Sequence, residues 1–363
     1  MKLTTIAPLL LAAVDVVSAA PKAPAPKAPA QPALNNLIKD KGKKYFGTAT
    51  DLYGTPGEAT DTQYQTLLNN TKEFGQQTPA NAMKWGVVEP TTQGQYNFAP
   101  GDAFVKYAQA NKQLIRCHNL VWNSQLPTYI TNRSWSPADN ATLQAIMKEH
   151  INGVVSHFKD VCYAWDVVNE PLNDGDGSFK EGPFLSAIGP EYVAIAFELA
   201  SQAVKATGKD IKLYVNEYNN EYPGAKTTAL VNLVKNIKSR GIQLDGVGFE
   251  SHFIVGQTPD RASQVAAKNQ FTALGVDVAV TELDVRFSSL PPTQAQLQQQ
   301  ATDYVNSVGS CLDVKRCVGV TVWDFEDKYS WIPGTFPGSG QADLYNTDYT
   351  AKPAVQAIAN LLK

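Results

Sequence analysis

Residues 163–171, Tyr163-Ala164-Trp165-Asp166-Val167-Val168-Asn169-Glu170-Pro171, decide how this chain folds. The stretch is nearly continuously apolar, as a strand buried on both faces requires, and it closes on two polar residues, Asn169 and Glu170. Reading outward from it, comparable runs recur at 45–50, 74–79, 114–120, 212–217, 246–252, 277–283 and 319–325. Segments with helical spacing lie between them, among them 143–158, 192–206 and 228–239. Alternating strand and helix predicts a parallel sheet, and eight such repeats predict a closed (β/α)8 barrel, a TIM-barrel α/β fold, as one domain over residues 35–363. The intervening stretches are too unlike one another for a solenoid.

The 363 residues would also permit two average domains, but barrels of this class run this long as one. With 43% hydrophobic and 18% charged residues and a net charge of −3, the composition is that of a globular protein. It lacks the clustered positive charge that nucleic acid or an anionic membrane surface demands, so neither is expected as a partner. A monomer is expected.

Residues 1–20 read as a secretory signal: Lys2 begins it, 3–17 is largely apolar although Asp15 interrupts its end, and small residues follow. Residues 21–34 are a Pro/Ala-rich spacer, stiff and solvated. A secreted, extracellular protein follows from this. Three sequons, at Asn69, Asn132 and Asn140, fit glycosylation there. In an oxidising compartment Cys311 and Cys317 would close a short loop. Cys117 and Cys162 fall on different strands at different heights and are expected not to pair. No CxxC occurs, and His118, His150, His157 and His252 show no ligand spacing, so no metal and no cofactor are expected.

In such barrels the chemistry sits at the C-terminal ends of the strands. Those ends supply Asn81 and Lys84, His118 and Trp122, Asn169 and Glu170, Glu217, Glu250 and His252, Glu282 and Asp284, and Trp323. There is no glycine-rich phosphate loop and no GxSxG elbow. Carboxylates facing one another suit cleavage of a glycosidic bond, which needs a proton for the leaving oxygen and a carboxylate for the oxocarbenium-like centre. Glu170 and Glu282 can supply both. If their carboxyl groups lie about 5–5.5 Å apart, the configuration is retained. The competing reading is two structural glutamates in ion pairs.

The segments GKKYFGTATD, NAMKW, HNLVWNSQLP, YAWDVVNEP, LYVNEYN, GVGFESHF, VTELDVRF and CLDVKRCVGVTVWDFEDKYSW resemble glycoside hydrolase family 10, a family dominated by endo-β-1,4-xylanases. The similarity runs from about residue 43 to 362. It implies Glu170 as acid/base, Glu282 as nucleophile, Asn169 on a sugar 2-hydroxyl, and His252 beside the nucleophile. It also implies Asn81, Lys84, His118, Trp122, Glu250, Trp323 and Trp331 along the sugar subsites, where hydroxyls meet polar groups and flat C–H faces meet rings.

Three positions depart from the family's usual pattern, all of them expected in the sugar-binding cleft. Ala80 stands where the family usually has glutamate, Glu250 where it has glutamine, and Asn123 where it has histidine. A third carboxylate at Glu250 should leave one carboxyl in the site with a raised pKa. Xylan is the preferred substrate reading. The alternative is removal of the oligosaccharide from a plant saponin such as α-tomatine, and a third reading is an inactive carbohydrate-binding barrel.

Overall fold

A computed structural model describes residues 31–52 and 57–363. The segment read as a signal, and the spacer up to residue 30, lie outside these residues. The first helix begins at Leu34, inside the segment read as spacer, and buries Leu34 and Ile38.

Eight parallel strands close the barrel: β1 Tyr45–Thr50, β2 Gln76–Pro79, β3 Leu114–Trp122, β4 Cys162–Asn169, β5 Lys212–Glu217, β6 Gly246–Phe249, β8 Asp277–Arg286 and β9 Cys317–Val322. Neighbours pair in chain order, β6 pairs with β8, and β9 returns to β1. The run read as one strand at 246–252 breaks after Phe249. Ser251 takes a left-handed backbone (φ 68°), and the chain resumes as the short β7, His252–Ile254, alongside the upper end of β8. A non-glycine residue in that region carries strain of about 1–3 kcal/mol, which the surrounding hydrogen bonds must hold. Ser251 N–H is held by Glu221 at 2.7 Å.

The helices between strands are made by ordinary signals. Helix Asn140–Phe158 buries Leu143, Met147, Ile151, Val154 and Phe158, the spacing that puts one apolar stripe against the sheet. Helix Gln294–Asp313 opens with a capping box formed by Thr293 and Gln296. Helix Tyr192–Thr207 ends on Gly208, whose φ of 70° suits the left-handed cap. Among the described residues, no helix is long and apolar enough to cross a membrane.

Inside the barrel, Tyr45, Tyr163 and Tyr214 pack around Arg116. The two hydroxyls of Tyr163 and Tyr45 lie 2.9 Å apart, and the guanidinium sits 4.4 Å over the Tyr214 ring. Gly246 makes room for Tyr214, since a Cβ there would stand 2.1 Å from the ring.

Two disulfides are present, Cys311–Cys317 as expected and Cys117–Cys162 against expectation. The β3–β4 register shifts between Ile115 and Arg116, where β4 carries one extra residue. The Cys117 and Cys162 Cα atoms nevertheless lie 5.7 Å apart across this irregular stretch, within bridging range despite their different heights.

Candidate active site

The C-terminal ends of the strands open into a cleft of about 960 Å³. Asn81, Lys84, His118, Trp122, Asn169, Glu170, Glu250, His252, Glu282, Trp323 and Trp331 all line it. Every residue expected in the subsites is therefore brought to one face. Asn123 is not among them. It turns away, against Gly182, where a Cβ would meet its Oδ1 at 2.3 Å, and it borders a separate surface hollow of about 320 Å³. The expectation that Asn123 alters the sugar cleft is thus corrected: Gly182 gives its side chain a place behind the wall.

Glu282 lies on β8 and is 5% exposed. Its Oε1 accepts from Asn216 Nδ2 at 2.7 Å, and its Oε2 lies 3.3 Å from His252 Nε2. Burial opposes ionisation of this carboxyl, but His118, 3.9 Å away, and His252 more than offset that, and its pKa falls below the ordinary value. His118 is itself fixed from the barrel floor. Its Nδ1 lies 3.1 Å from Asp166 Oδ2, and Asp166 is gripped on both oxygens by Arg116.

His252 is oriented from behind. Its Nδ1 contacts Asp284 Oδ2 at 2.8 Å, and Trp331 Nε1–H donates to the same oxygen at 2.9 Å. Burial would strip the imidazole of its proton, yet the Asp284 carboxylate and Glu282 win, and its pKa is raised well above that of a free histidine. Glu250 completes the group. Burial, and then the charges of Glu282 and Glu170, push its pKa well above the usual carboxylate range. A raised pKa on a third carboxylate is what the sequence led us to expect, and the strain falls on Glu250 rather than Glu282.

Glu170 follows β4 with a left-handed backbone (φ 50°), its N–H tied to the Asn216 carbonyl at 2.9 Å. This turns its carboxyl across the cleft mouth. Lys180 Nζ stands 3.0 Å from its Oε2, and Asn169 Nδ2 stands 3.4 Å from its Oε1. Lys180 arrives on a loop that folds back on itself: its N–H bonds the Pro171 carbonyl at 2.9 Å, and Leu172 bridges Phe179. Burial works against the Lys180 charge, but Glu170 and Glu217 hold its pKa above the normal lysine value.

On the opposite wall Lys84 is 7% exposed, donates to Asn81 at 2.9 Å and lies 4.9 Å over the Trp122 ring. Burial lowers its pKa, against the pull of Glu282, Asp51, Glu170 and Glu250. Ala80 packs with Ala49, Trp323 and Trp331 to form an apolar floor at this end.

Sequence reading passed over Asn216, Lys180 and the Arg116–Asp166 pair. The amide of Asn216 reaches Glu282, Glu250 and Asn169 at 2.7, 3.1 and 2.9 Å, tying three strands together. Glu217, the next residue, points to the other face and pairs with Lys226 at 2.9 Å, outside the cleft.

Comparison with known proteins agrees with this geometry. Residues 33–361 match Glycosyl hydrolase family 10. Endo-1,4-β-xylanase D of Talaromyces funiculosus is 52% identical over 329 residues, 91% of this chain and 77% of that protein. The solved endo-1,4-β-xylanase of Penicillium canescens superposes with a TM-score of 0.87 at 48% identity, covering 91% of this chain and 97% of that one. The GH10 xylanase of Bispora sp. MEY-1, solved with xylobiose, gives a TM-score of 0.87 at 47% identity, covering 90% and 99%. A complete barrel, carboxyl groups converging at its strand ends and identity near one half over nine-tenths of the length lead to one conclusion: this chain is an enzyme and belongs to glycoside hydrolase family 10.

Proposed function

We propose that the enzyme is a secreted endo-1,4-β-xylanase, with Glu282 as nucleophile and Glu170 as acid/base. The observation that carries the reading is the unequal setting of the two carboxyl groups. Glu282 is buried and held ionised by Asn216, His118 and His252, whereas Glu170 stands at the cleft mouth beside Lys180.

In the first step the Glu282 carboxylate attacks the anomeric carbon as Glu170 gives its proton to the departing oxygen. The glycosidic bond breaks and a glycosyl ester forms on Glu282. In the second step Glu170, now a carboxylate, takes a proton from water, and the oxygen of that water displaces Glu282 from the same carbon. Two inversions give net retention. Asn169, anchored by Asn216, would bond the sugar 2-hydroxyl. Lys84, Asn81, His118, Trp122, Trp323 and Trp331 supply donors and rings for the sugars, and Glu250 stands beside the nucleophile.

Xylan as substrate is supported by the names of the relatives and by xylobiose in a neighbour of 47% identity. No observation favours the saponin reading. Secretion is supported by the signal-like opening, the two disulfides, and sequon asparagines of which Asn69 and Asn132 are exposed and Asn140 half-buried. We further read the enzyme as a glycosylated monomer.

The test is Glu282→Ala with azide, assayed beside wild-type hydrolysis of linear xylan, a β-1,4-glucan and a branched saponin. Activity lost and then restored by azide with an inverted glycosyl azide is the expected result, with xylo-oligosaccharides from wild type on xylan. A folded variant that azide fails to rescue overturns the nucleophile. Sugar released only from the saponin overturns the substrate.

A further inference from the structure

Glu250, His252 and Glu282 each present one ligand-capable atom, and these three atoms lie within 4.8 Å of one another. His252 Nε2 is 3.3 Å from Glu282 Oε2 and 3.8 Å from Glu250 Oε2. Nitrogen and oxygen ligands at about 2.0–2.2 Å in a tetrahedral zinc site stand roughly 3.3–3.6 Å apart. The two distances from His252 are already close to that spacing, and side-chain rotation would bring the three atoms onto one ion.

The support behind the imidazole is also in place. Asp284 Oδ2 engages Nδ1 at 2.8 Å, so Nε2 is the nitrogen that faces the two glutamates. A carboxylate behind a histidine in this way is what orients metal-binding imidazoles. A second, independent observation concerns Glu250. It is 1% exposed, and its Oε1 is bonded by Asn216, but its Oε2 receives no hydrogen bond among the described residues while lining the cleft. That oxygen faces the cleft with no protein donor, so a cation bound there would meet a lone pair that the protein leaves open.

We propose that Glu250, His252 and Glu282 form a three-ligand site for a borderline divalent cation of the zinc class, open towards the cleft, and that filling it stops hydrolysis. The donor set selects the metal class. One imidazole and two carboxylates suit zinc, whereas calcium takes six to eight oxygens and magnesium keeps most of its water. On binding, the ion replaces the proton on His252 Nε2, which leaves to buffer. The same ion takes the electron pair that Glu282 would use on the anomeric carbon. The loss of activity rests on the proposed role of Glu282, and the binding does not. Glutamine at position 250, the usual residue of the resembled family, would offer a neutral amide and a far weaker ligand.

The experiment titrates metal-free full-length protein with ZnCl2 by calorimetry, and with CoCl2 by visible absorption, for wild type, Glu250→Gln and Asp284→Asn. Glu250→Gln is close to isosteric, and unfolding curves check that both variants fold. One zinc per chain is expected, with the intense visible bands of low-coordinate cobalt. Affinity should fall at least tenfold in Glu250→Gln and about 10–100-fold in Asp284→Asn. Stoichiometric zinc should abolish wild-type hydrolysis, and chelator should restore it. No saturable binding, or binding equal in wild type and Glu250→Gln, overturns the proposal. Binding that depends on Glu250 but leaves hydrolysis intact upholds the site and overturns Glu282 as the nucleophile.

Discussion

Asn216 Nδ2 lies 2.7 Å from Glu282 Oε1, and this one amide sets where the carboxylate points. The amide is held in turn by Thr281, whose hydroxyl donates to Asn216 Oδ1 at 2.7 Å. Asn216→Ala should lower kcat about 10–100-fold, the worth of a hydrogen bond to a charged group. Steady-state kinetics on an aryl xylobioside measures it, with the unfolding temperature as control for folding. A kcat within about twofold of wild type would mean that Glu282 is aimed by other contacts.

Glu170→Ala should discriminate between leaving groups. A poor leaving group needs the proton, so hydrolysis of xylan should fall by about 10²–10⁴. The glycosylation step on an activated aryl glycoside should be much less affected. Pre-steady-state bursts with both substrates separate the two steps. Equal losses on both would remove Glu170 from the acid role.

Ala80→Glu should tighten binding of xylo-oligosaccharides. Ala80 lines the cleft on an apolar floor with Trp323 and Trp331, so a carboxylate placed there faces sugar hydroxyls. A charged hydrogen bond contributes about 1.5–3 kcal/mol, which corresponds to a KM lower by about tenfold or more. An unchanged or higher KM would show that Asp51 and Asn81 already fill this role.

Stability should fall as the pH rises through the acidic and neutral range. Glu326 is fully buried and accepts backbone N–H bonds from Lys328 and Tyr329, yet burial dominates and raises its pKa from 4.5 to about 8. Below 4.5 the group is neutral in both folded and unfolded chains. Between there and about 8 the unfolded chain ionises while the folded one stays protonated, so the folded state loses ground. Glu58 and Glu217, each raised to about 7 chiefly by burial, act in the same direction. Glu326→Gln should narrow the difference between unfolding temperatures at about pH 5 and 9, by an amount worth up to a few kcal/mol. An unaltered pH dependence would count against this assignment.

The barrel was legible because buried parallel strands must be apolar along their whole length, and β1 and β5 begin and end where the sequence put them. The face that carries the candidate site was legible because polar residues that close such strands have few other reasons to be there. Asn216 carried a signal, a polar residue inside Lys212–Glu217, but its neighbour Glu217 drew attention as the more reactive group. Strand alternation sends the two to opposite faces, and only the pairing of β4, β5 and β6 shows which one enters the cleft. Lys180 was out of reach, since it meets Glu170 through a loop reversal ten residues downstream. The break at Ser251 and the turning away of Asn123 depend on tertiary contacts, with Glu221 and Gly182, that no local pattern encodes.

Adjacent strands in a parallel barrel share no tight turn, so each pair must find its register across a whole intervening helix. The Cys117–Cys162 bond, joining residues 45 apart, gives β3 and β4 the tether that a hairpin has by construction. Closing a loop of that size removes disorder from the unfolded chain worth about 4 kcal/mol in the chain-entropy picture. The seam so fastened carries Trp122 on one strand and Asn169, with Glu170 just beyond, on the other. When the oxidised chain loosens, one wall of the cleft stays stitched, and Glu170 begins refolding already beside Trp122.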